Sequence, residues 1–339
     1  MRICLRAWDI PNKQNLSVDT NKSKHCNNGG NYYMKKDKEF NITKEQVLSI
    51  MKEIKEKTTK NEHHITINHD REAGLFDDKL GGLPYWDLSK EYPRDENGNT
   101  LVLLAQINLD GLKSLHNSDG MELPEKGMLQ FFHAVNDLYG FDFDPDTGCD
   151  LKNNKGYKVV YHETVDKNVT EEQIRALNIN TTEDIDEDCT PILKTTAIDL
   201  YITKTSLGMS NYQWNQLFLQ LLKENFGIVV PEDYCIYDIL DDEIYEMLDE
   251  MEEERWEQKE ELGKYQHHMM GYADFTQFDP REGNQELQKY DVVLLQIDSD
   301  YDEDECVLWG DAGIGNFFIK HEDLKNKNFN DILYNWDCC

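Results

Sequence analysis

Acidic residues alternate along one short segment near the C-terminal end of the chain. Every second residue from Asp298 to Asp304 is an aspartate, and this spacing is typical of the first half of a calcium-binding loop, where carboxylates converge on a hard cation. Glu303 stands where such a loop needs glycine, and Trp309 stands where it needs a bidentate acid. We therefore predict a polar loop between strands rather than a calcium site.

Three glycines lie close together in the segment WGDAGIG at 309–315, where successive backbone N–H groups could form an anion-binding nest. The segment lacks the Lys-Ser/Thr ending of a phosphate-binding loop and lies between the apolar runs CVLW and NFFI. A turn between two strands, with glycine at positive φ, accounts for the pattern better. No phosphate site is predicted here.

Histidines occur in two clusters, EHHITINH at 62–69 and the pair at 267–268, and imidazole serves both metal binding and proton transfer. Neither cluster matches HExxH, and an alternating strand would point His63 and His64 to opposite faces. A GxSxG nucleophile elbow is also absent from the sequence. We interpret these histidines as surface or packing residues, and the sequence predicts no catalytic residue, metal site or cofactor.

The net charge of the chain limits the classes of partner that it can bind. Its 339 residues carry 35 Lys and Arg against 67 Asp and Glu, a net charge of −32. Such a surface repels nucleic acid phosphates and anionic lipid headgroups, which makes a basic protein the better electrostatic partner. The alternative interpretation is that the acidity only maintains solubility.

Cysteine spacing and hydropathy indicate the compartment. The eight cysteines include no CxxC pair and no Cys/His cluster at zinc-finger spacing, so a structural zinc site is not expected. No stretch approaches the roughly 20 apolar residues of a membrane span. We expect a cytoplasmic protein with reduced thiols.

The predicted helices and strands that position the candidate residues begin after an N-terminal extension. Residues 1–40 are rich in Asn, Lys and Ser and predict a disordered segment, leaving 41–339 as a single domain. Three predicted helices carry N-terminal capping signals: 43–57 with Thr43 and Gln46, 171–178 with Thr170 and Gln173, and 211–225 with Ser210 and Gln213. Gly227 is expected to end the third helix in left-handed backbone.

A fourth helix, near 238–262, is strongly acidic. Between residues 241 and 261, twelve acids face only Arg255 and Lys259, while an apolar stripe persists from Leu240 to Met251. Two interpretations stay open for this helix. Its outer face could dock a cationic partner, or it could be a solvated helix that connects two halves of the protein.

Apolar runs predict the strands of a substantial sheet, and some of them repeat. LVLLAQINLD at 101–110 returns as DVVLLQIDSD at 291–300, and GMLQFF at 127–132 resembles GIGNFF at 313–318. These echoes predict an internal duplication with pseudo-repeats near 75–140 and 265–320. The expected fold is α+β, with two related β-rich halves forming one compact unit with packed helices and a cleft at their junction.

Six ordered sequence blocks resemble the YwqG-like family, a bacterial domain of unknown function. The blocks are LGGLPYW at 80–86, LLAQINL at 103–109, LPEKGMLQFF at 123–132, GYADFTQFDPR at 271–281, LLQIDSD at 294–300 and WGDAGIGNFFI at 309–319, followed by YNWDCC at 334–339. Asp87 departs from the proline expected there. The resemblance covers about 75–339 and implies an α+β fold of two related halves, no established activity, and a proposed role as an immunity protein against bacterial toxins.

Polar residues within these blocks are the candidate binding residues, because a polar side chain beside an apolar run must find a partner. They are Gln106, Gln277, Asp279, Arg281, Gln296, Trp309, Asp311, Trp336 and Asp337. In a structural role, the glutamines tie loops to sheet edges and Arg281 pairs with Asp311 or Asp337.

In a functional role, the same residues line the cleft, with the two tryptophans as aromatic walls. The leading hypothesis is a non-enzymatic protein-binding role, such as an immunity protein neutralising a basic toxin. The alternatives are a small-ligand or metal-binding domain, or an uncharacterised hydrolase that uses the cleft.

Overall fold

The computed structural model describes residues 40–141, 143–144, 148–149, 151–231, 234, 236–260, 266–300 and 306–338. All but the last residue of the extension predicted at 1–40 therefore lies outside the described residues, as does the second half of the acidic run, at 301–305.

The described part of the chain contains twelve strands and six α-helices. The strands are β1 (Lys60–Asn68), β2 (Lys79–Leu80), β3 (Val102–Asn108), β4 (Met128–His133), β5 (Phe143–Asp144), β6 (Gly148–Cys149), β7 (Tyr157–His162), β8 (Thr196–Thr205), β9 (His268–Met270), β10 (Val292–Asp298), β11 (Ile314–Ile319) and β12 (Ile332–Asp337). The helices are α1 (Lys44–Thr58), α2 (Glu171–Arg175), α3 (Tyr212–Phe226), α4 (Ile236–Ile239), α5 (Asp242–Glu260) and α6 (His321–Lys325).

Ten strands form one antiparallel sheet in the order β12-β11-β10-β9-β1-β8-β2-β3-β4-β7, and β5 pairs only with β6. The long pair β1–β8 lies at the centre, with His64 opposite Tyr201 at its middle. The sheet curls until its two ends meet. Tyr157 of β7 donates from its hydroxyl to the carbonyl of Ile332 in β12 at 2.7 Å, so the sheet is a nearly closed barrel.

The interior of this barrel is filled by aromatic rings from both ends of the sheet. Phe131 lies 5.2 Å from Phe317, and Tyr157 lies 5.0 Å from Tyr334, measured between ring centroids. Rings at these separations bury large apolar areas and leave little free volume. The space between the two ends of the sheet is therefore packed core.

Two strand pairs, one near each end of the sheet, have the same irregularity in their hydrogen-bonding register. Both β3–β4 and β10–β11 shift register, between Leu103 and Ala105 in one pair and between Val293 and Leu295 in the other. The β4–β7 pair then runs over six residues, as does β11–β12. The α+β class expected from the sequence is confirmed.

The helices α1, α3, α4 and α5 form a separate layer whose apolar faces pack together. Val47 and Ile50 of α1 are buried in the same cluster as Trp214 and Phe218 of α3 and Leu248 of α5. Apolar residues that recur every 3.6 positions form a stripe along each helix. The helices pack together into a layer because this packing removes the apolar stripes from water. It fixes the position of the acidic helix on the molecule.

Most helix boundaries follow the capping signals. The capping boxes Thr43–Gln46 and Thr170–Gln173 are both formed, and Gly227 ends α3 with φ 68°. The expected cap Ser210 is wrong by one residue, because the Asn211 side chain accepts the hydrogen bond at the start of α3. Asn and Ser both cap helices well, so local chemistry did not separate them.

Candidate functional site

The predicted glutamines lie inside strands and bind backbone. Gln106 is fully buried in β3, where its amide oxygen accepts from the Tyr85 backbone N–H at 2.9 Å and from the Gln130 amide at 2.8 Å. Its amide nitrogen donates to the carbonyls of Leu75 at 3.0 Å and Asp77 at 2.9 Å. Gln106 therefore fastens the preceding loop to the sheet.

Gln296 in β10 makes the corresponding bonds in the other half. Its amide oxygen accepts from the Asp274 backbone N–H at 2.8 Å, and its amide nitrogen donates to the carbonyl of Gln266 at 2.9 Å. Asn316 lies opposite Gln296 and donates to the Asp274 carbonyl at 3.0 Å. In the first half, Gln130 donates to the carbonyl of Tyr85 in the same way.

Arg281 pairs with Asp279, which corrects the prediction that it pairs with Asp311 or Asp337. The guanidinium donates to both carboxylate oxygens of Asp279, at 2.9 and 2.7 Å, and lies 4.2 Å from the ring centroid of Phe318. Asp279 also accepts from the backbone N–H of Tyr212, at the start of α3, at 3.3 Å. This buried pair therefore joins a loop to a helix, as a bidentate ion pair over an aromatic ring can.

Gln277 and Asp337 come together at the C-terminal end of the sheet. The Asp337 carboxylate accepts from the Gln277 backbone N–H at 2.7 Å, and the Gln277 amide donates to the carbonyl of Cys338. Burial raises the pKa of Asp337 to about 6, against the lowering effect of these hydrogen bonds.

The tryptophans predicted as cleft walls belong to the core. Trp309 is fully buried, and its ring lies 6.0 Å from Trp336 and 5.7 Å from Tyr139. Asp311 is exposed on the turn that follows Trp309. The structure thus brings the predicted residues together as pairs in several places, and none of the nine lines either of the two clefts described next.

The first cleft, of about 350 Å³, lies where the loop before β2, helix α2 and the segment before β8 meet. Its lining residues are Ala73, Gly74, Leu75, Lys79, Leu83, Glu171, Arg175, Thr181, Glu183, Asp184 and Thr195. A second cleft of about 440 Å³ lies between residues 120–126 and 321–327. Both volumes fall within the range of small-molecule sites.

Lys79 sets the chemistry of the first cleft. Its side chain is 2% exposed, and its ammonium donates to the carbonyls of Gly74 at 2.9 Å and Leu83 at 2.6 Å. Within the described part of the chain, no carboxylate forms an ion pair with it. Burial lowers the pKa of Lys79 to about 8, although nearby acids, Asp77 foremost, raise it.

Charged residues at the rim of this cleft are already tied to neighbours. Arg175 lies 3.6 Å from Glu171, and both side chains are more than half exposed. Asp184 accepts from the hydroxyl and backbone N–H of Thr181, at 2.8 and 2.9 Å. The Thr195 hydroxyl donates to Glu183. The cleft thus combines a buried cation at one end with acids at the surface.

Among the histidines predicted to be surface or packing residues, those at 63, 64, 267 and 268 are buried, whereas His69 is exposed. Both faces of the middle of β1 are covered, so His63 and His64 are 3% and 1% exposed although they point to opposite faces. Burial, and then the neighbouring His64 and His268, lower the pKa of His267 to about 3. No three His, Cys, Asp or Glu side chains among the described residues are arranged to hold a metal ion.

Sequence reasoning missed Lys79. The only local signal is a single cation at the start of KLGG, immediately before the apolar and glycine-rich block at 80–86. Lysine in a short segment between loops is ordinarily a surface residue. In the structure Lys79 lies between Gln106 of β3 and Ala197 of β8, which are distant in the sequence and cannot be placed beside it from local patterns.

Comparison with known proteins places residues 78–338 in one family. They match the family model described as "Domain of unknown function (DUF1963)". No curated protein matches the chain. Across the described residues, no helix is long and apolar enough to cross a bilayer.

Proposed function

The chain belongs to this family of unknown function, and from that premise we propose that it is a protein-binding module whose acidic helix α5 docks a basic protein. One observation carries the proposal. Helix α5 and the residue before it expose eight carboxylates to solvent: Asp241, Asp242, Glu243, Glu246, Asp249, Glu250, Glu253 and Glu254.

The acidic face is held by the rest of the protein. Ile244, Met247 and Leu248 are buried in the helical layer, so α5 cannot rotate without exposing them. Near its other end, Arg255 donates to Glu252 at 2.7 Å and to Asp274 at 2.5 Å. A fixed array of like charges raises the encounter rate with a complementary surface and disfavours other partners.

The most specific form of the proposal is an immunity protein that neutralises a basic toxin. It rests on the sequence resemblance together with the net charge of −32. The same charge disfavours nucleic acid as a partner, because phosphates would be repelled. An inhibitor of this kind works by binding alone, which agrees with the absence of catalytic motifs from the sequence.

Four glutamates on one stripe of α5 allow a direct test. The variant Glu243→Gln, Glu246→Gln, Glu250→Gln and Glu253→Gln removes four negative charges from exposed positions at helical spacing. The matched control removes four from exposed positions elsewhere: Glu91→Gln, Glu125→Gln, Glu187→Gln and Glu282→Gln.

The measurement is capture of basic proteins encoded beside the gene, in low salt and in roughly 0.5 M salt, where surface attraction is largely screened. We expect the wild type and the control to capture one basic protein in low salt only, and the α5 variant to lose at least about 90% of the capture. For a toxin, neutralisation should be lost in parallel. Equal capture by both variants, or no specific capture, would refute the docking role of α5.

We also propose that the two halves arose by internal duplication. Support comes from the matching register shifts, from the equivalent bonds of Gln106 and Gln296, and from paired left-handed residues where β2 and β9 end. These last pairs are Gly81–Gly82, with φ 65° and 73°, and Met270–Gly271, with φ 64° and 70°. A repeated unit accounts for one unusual backbone conformation occurring twice at equivalent places.

A further inference from the structure

We propose that the cleft around Lys79 binds a small zwitterion, such as an amino acid, with its carboxylate on the Lys79 ammonium and its cationic group toward the acids at the rim. This site is separate from the acidic face of α5. It shares no residue with that face and does not depend on the docking role.

The hydrogen-bond donors of Lys79 favour a carboxylate ligand. An ammonium has three N–H donors, and two of them reach the carbonyls of Gly74 and Leu83. The third donor and the positive charge have no carboxylate partner within the described residues. A buried cation that no carboxylate contacts directly is costly. Nearby acids, Asp77 foremost, offset part of that cost, and an anionic ligand in the adjoining cleft would offset more of it.

The rim determines which anion fits. Glu171, Glu183 and Asp184 are exposed acids in the lining of the cleft, and Arg175 is the exposed cation beside them. These carboxylates repel an anion with two charges, such as phosphate, more strongly than one with a single charge. They attract a positive group, so a molecule with one carboxylate and one ammonium matches both ends of the cleft.

The walls between the two ends suit a short aliphatic chain. Ala73, Leu75 and Leu83 supply apolar side chains, and Leu75 is buried. A cleft of about 350 Å³ is large enough for a compound of amino-acid size. Apolar walls with a few polar groups at the ends are typical of small-ligand sites.

Three probes of one chain length test each part of the proposal: butyrate carries only the anion, butylamine only the cation, and 4-aminobutyrate both. Each is titrated to about 50 mM into the full chain, followed by chemical shifts and by thermal unfolding, since a ligand of the native state raises the melting temperature. We expect saturable binding of butyrate and tighter binding of 4-aminobutyrate. Butylamine should not bind at this site.

The pH dependence identifies the amine. Carboxylate binding requires the charged form of Lys79, so with a pKa of about 8 the affinity for butyrate should fall roughly tenfold between pH 7.5 and 9. Binding that is unchanged or stronger at pH 9 would overturn the proposal. It would mean that the neutral amine, or another group, contacts the ligand.

Variants separate the two ends of the cleft. Lys79→Met keeps the apolar stem and should abolish binding of both carboxylates. The double variant Glu171→Gln and Glu183→Gln changes exposed side chains. It should remove the preference for 4-aminobutyrate over butyrate while leaving butyrate affinity within about twofold. Glu187→Gln, at an exposed position outside the cleft, is the control.

Clear outcomes refute the proposal. It fails if no carboxylate binds saturably, if butylamine binds as well as butyrate, or if folded Lys79→Met retains binding. Should Lys79→Met not fold, the double variant and the pH dependence decide. If the protein captures its partner but does not bind the zwitterion, only the cleft proposal is refuted. If it binds the zwitterion but captures no partner, only the docking role of α5 is refuted.

Discussion

The guanidinium of Arg255 donates a hydrogen bond of 2.5 Å to the carboxylate of Asp274, a residue whose backbone is itself bound by Gln296 and Asn316. The acidic helix is thereby connected to the hydrogen-bond network of the sheet. The Asp274 side chain is 1% exposed and that of Arg255 is 16% exposed. Asp274 therefore depends on Arg255 for much of its charge compensation.

Replacing Arg255 by methionine should destabilise the protein by about 2–4 kcal/mol, because it leaves the Asp274 carboxylate buried without its cation. Urea unfolding monitored by circular dichroism measures the change. Arg94→Met is the control, since Arg94 is exposed and its side chain donates to the nearby Gly98 carbonyl, so its cost should stay below about 0.5 kcal/mol. Equal costs for the two variants would show that the Arg255 pair contributes little.

Replacing Gln106 or Gln296 by leucine should cost about 2–4 kcal/mol in each case, because backbone groups that each amide satisfies would remain buried and unpaired. Chemical denaturation of both variants tests whether the two halves depend equally on these residues. The exposed Gln220→Leu, which loses only a bond to Glu224, should change stability by less than about 0.5 kcal/mol. A negligible cost at either buried glutamine would contradict the role assigned to it.

The stability of the protein should depend on pH through His133. Burial lowers its folded-state pKa to about 4, below the value of roughly 6.5 expected when unfolded. Between these values the unfolded chain binds the proton more readily, so stability is retained above about pH 6.5 and falls as the pH drops toward 4.

The difference attributable to His133 is about 2 kcal/mol between pH 7 and pH 5. His133→Gln should therefore lose less stability than the wild type over that interval, whatever its cost at pH 7. Unfolding free energies at both pH values provide the measurement. Identical pH dependence in the variant and the wild type would rule out a lowered pKa at His133.

Gly315→Ala should destabilise the protein by about 1–3 kcal/mol through overpacking. A Cβ at this position would lie 2.2 Å from the Trp309 ring, and the glycine has no positive φ to add strain. Gly98→Ala provides the comparison, because its φ of 84° is strained but the space around it is open. If steric contact dominates, Gly315→Ala will show the larger fall in melting temperature and a changed tryptophan near-ultraviolet signal.

The sequence by itself determined the features that depend on local periodicity. The capping boxes at Thr43 and Thr170, the left-handed end of α3 at Gly227 and the apolar stripe of the acidic helix were all readable, since each involves residues within a few positions of one another. The strands around Gln106 and Gln296 were readable for the same reason.

Only the tertiary structure decided which distant segments meet. Arg281 pairs with Asp279, two positions before it, and the structure decided that this pair binds the backbone N–H of Tyr212 at the start of α3. The tryptophans expected to wall a cleft are covered because the sheet curls and brings Tyr139 onto them. Lys79 is buried because β2 lies between β3 and β8 in the sheet. Burial at these places comes from contacts between residues far apart in the sequence, which local patterns do not encode.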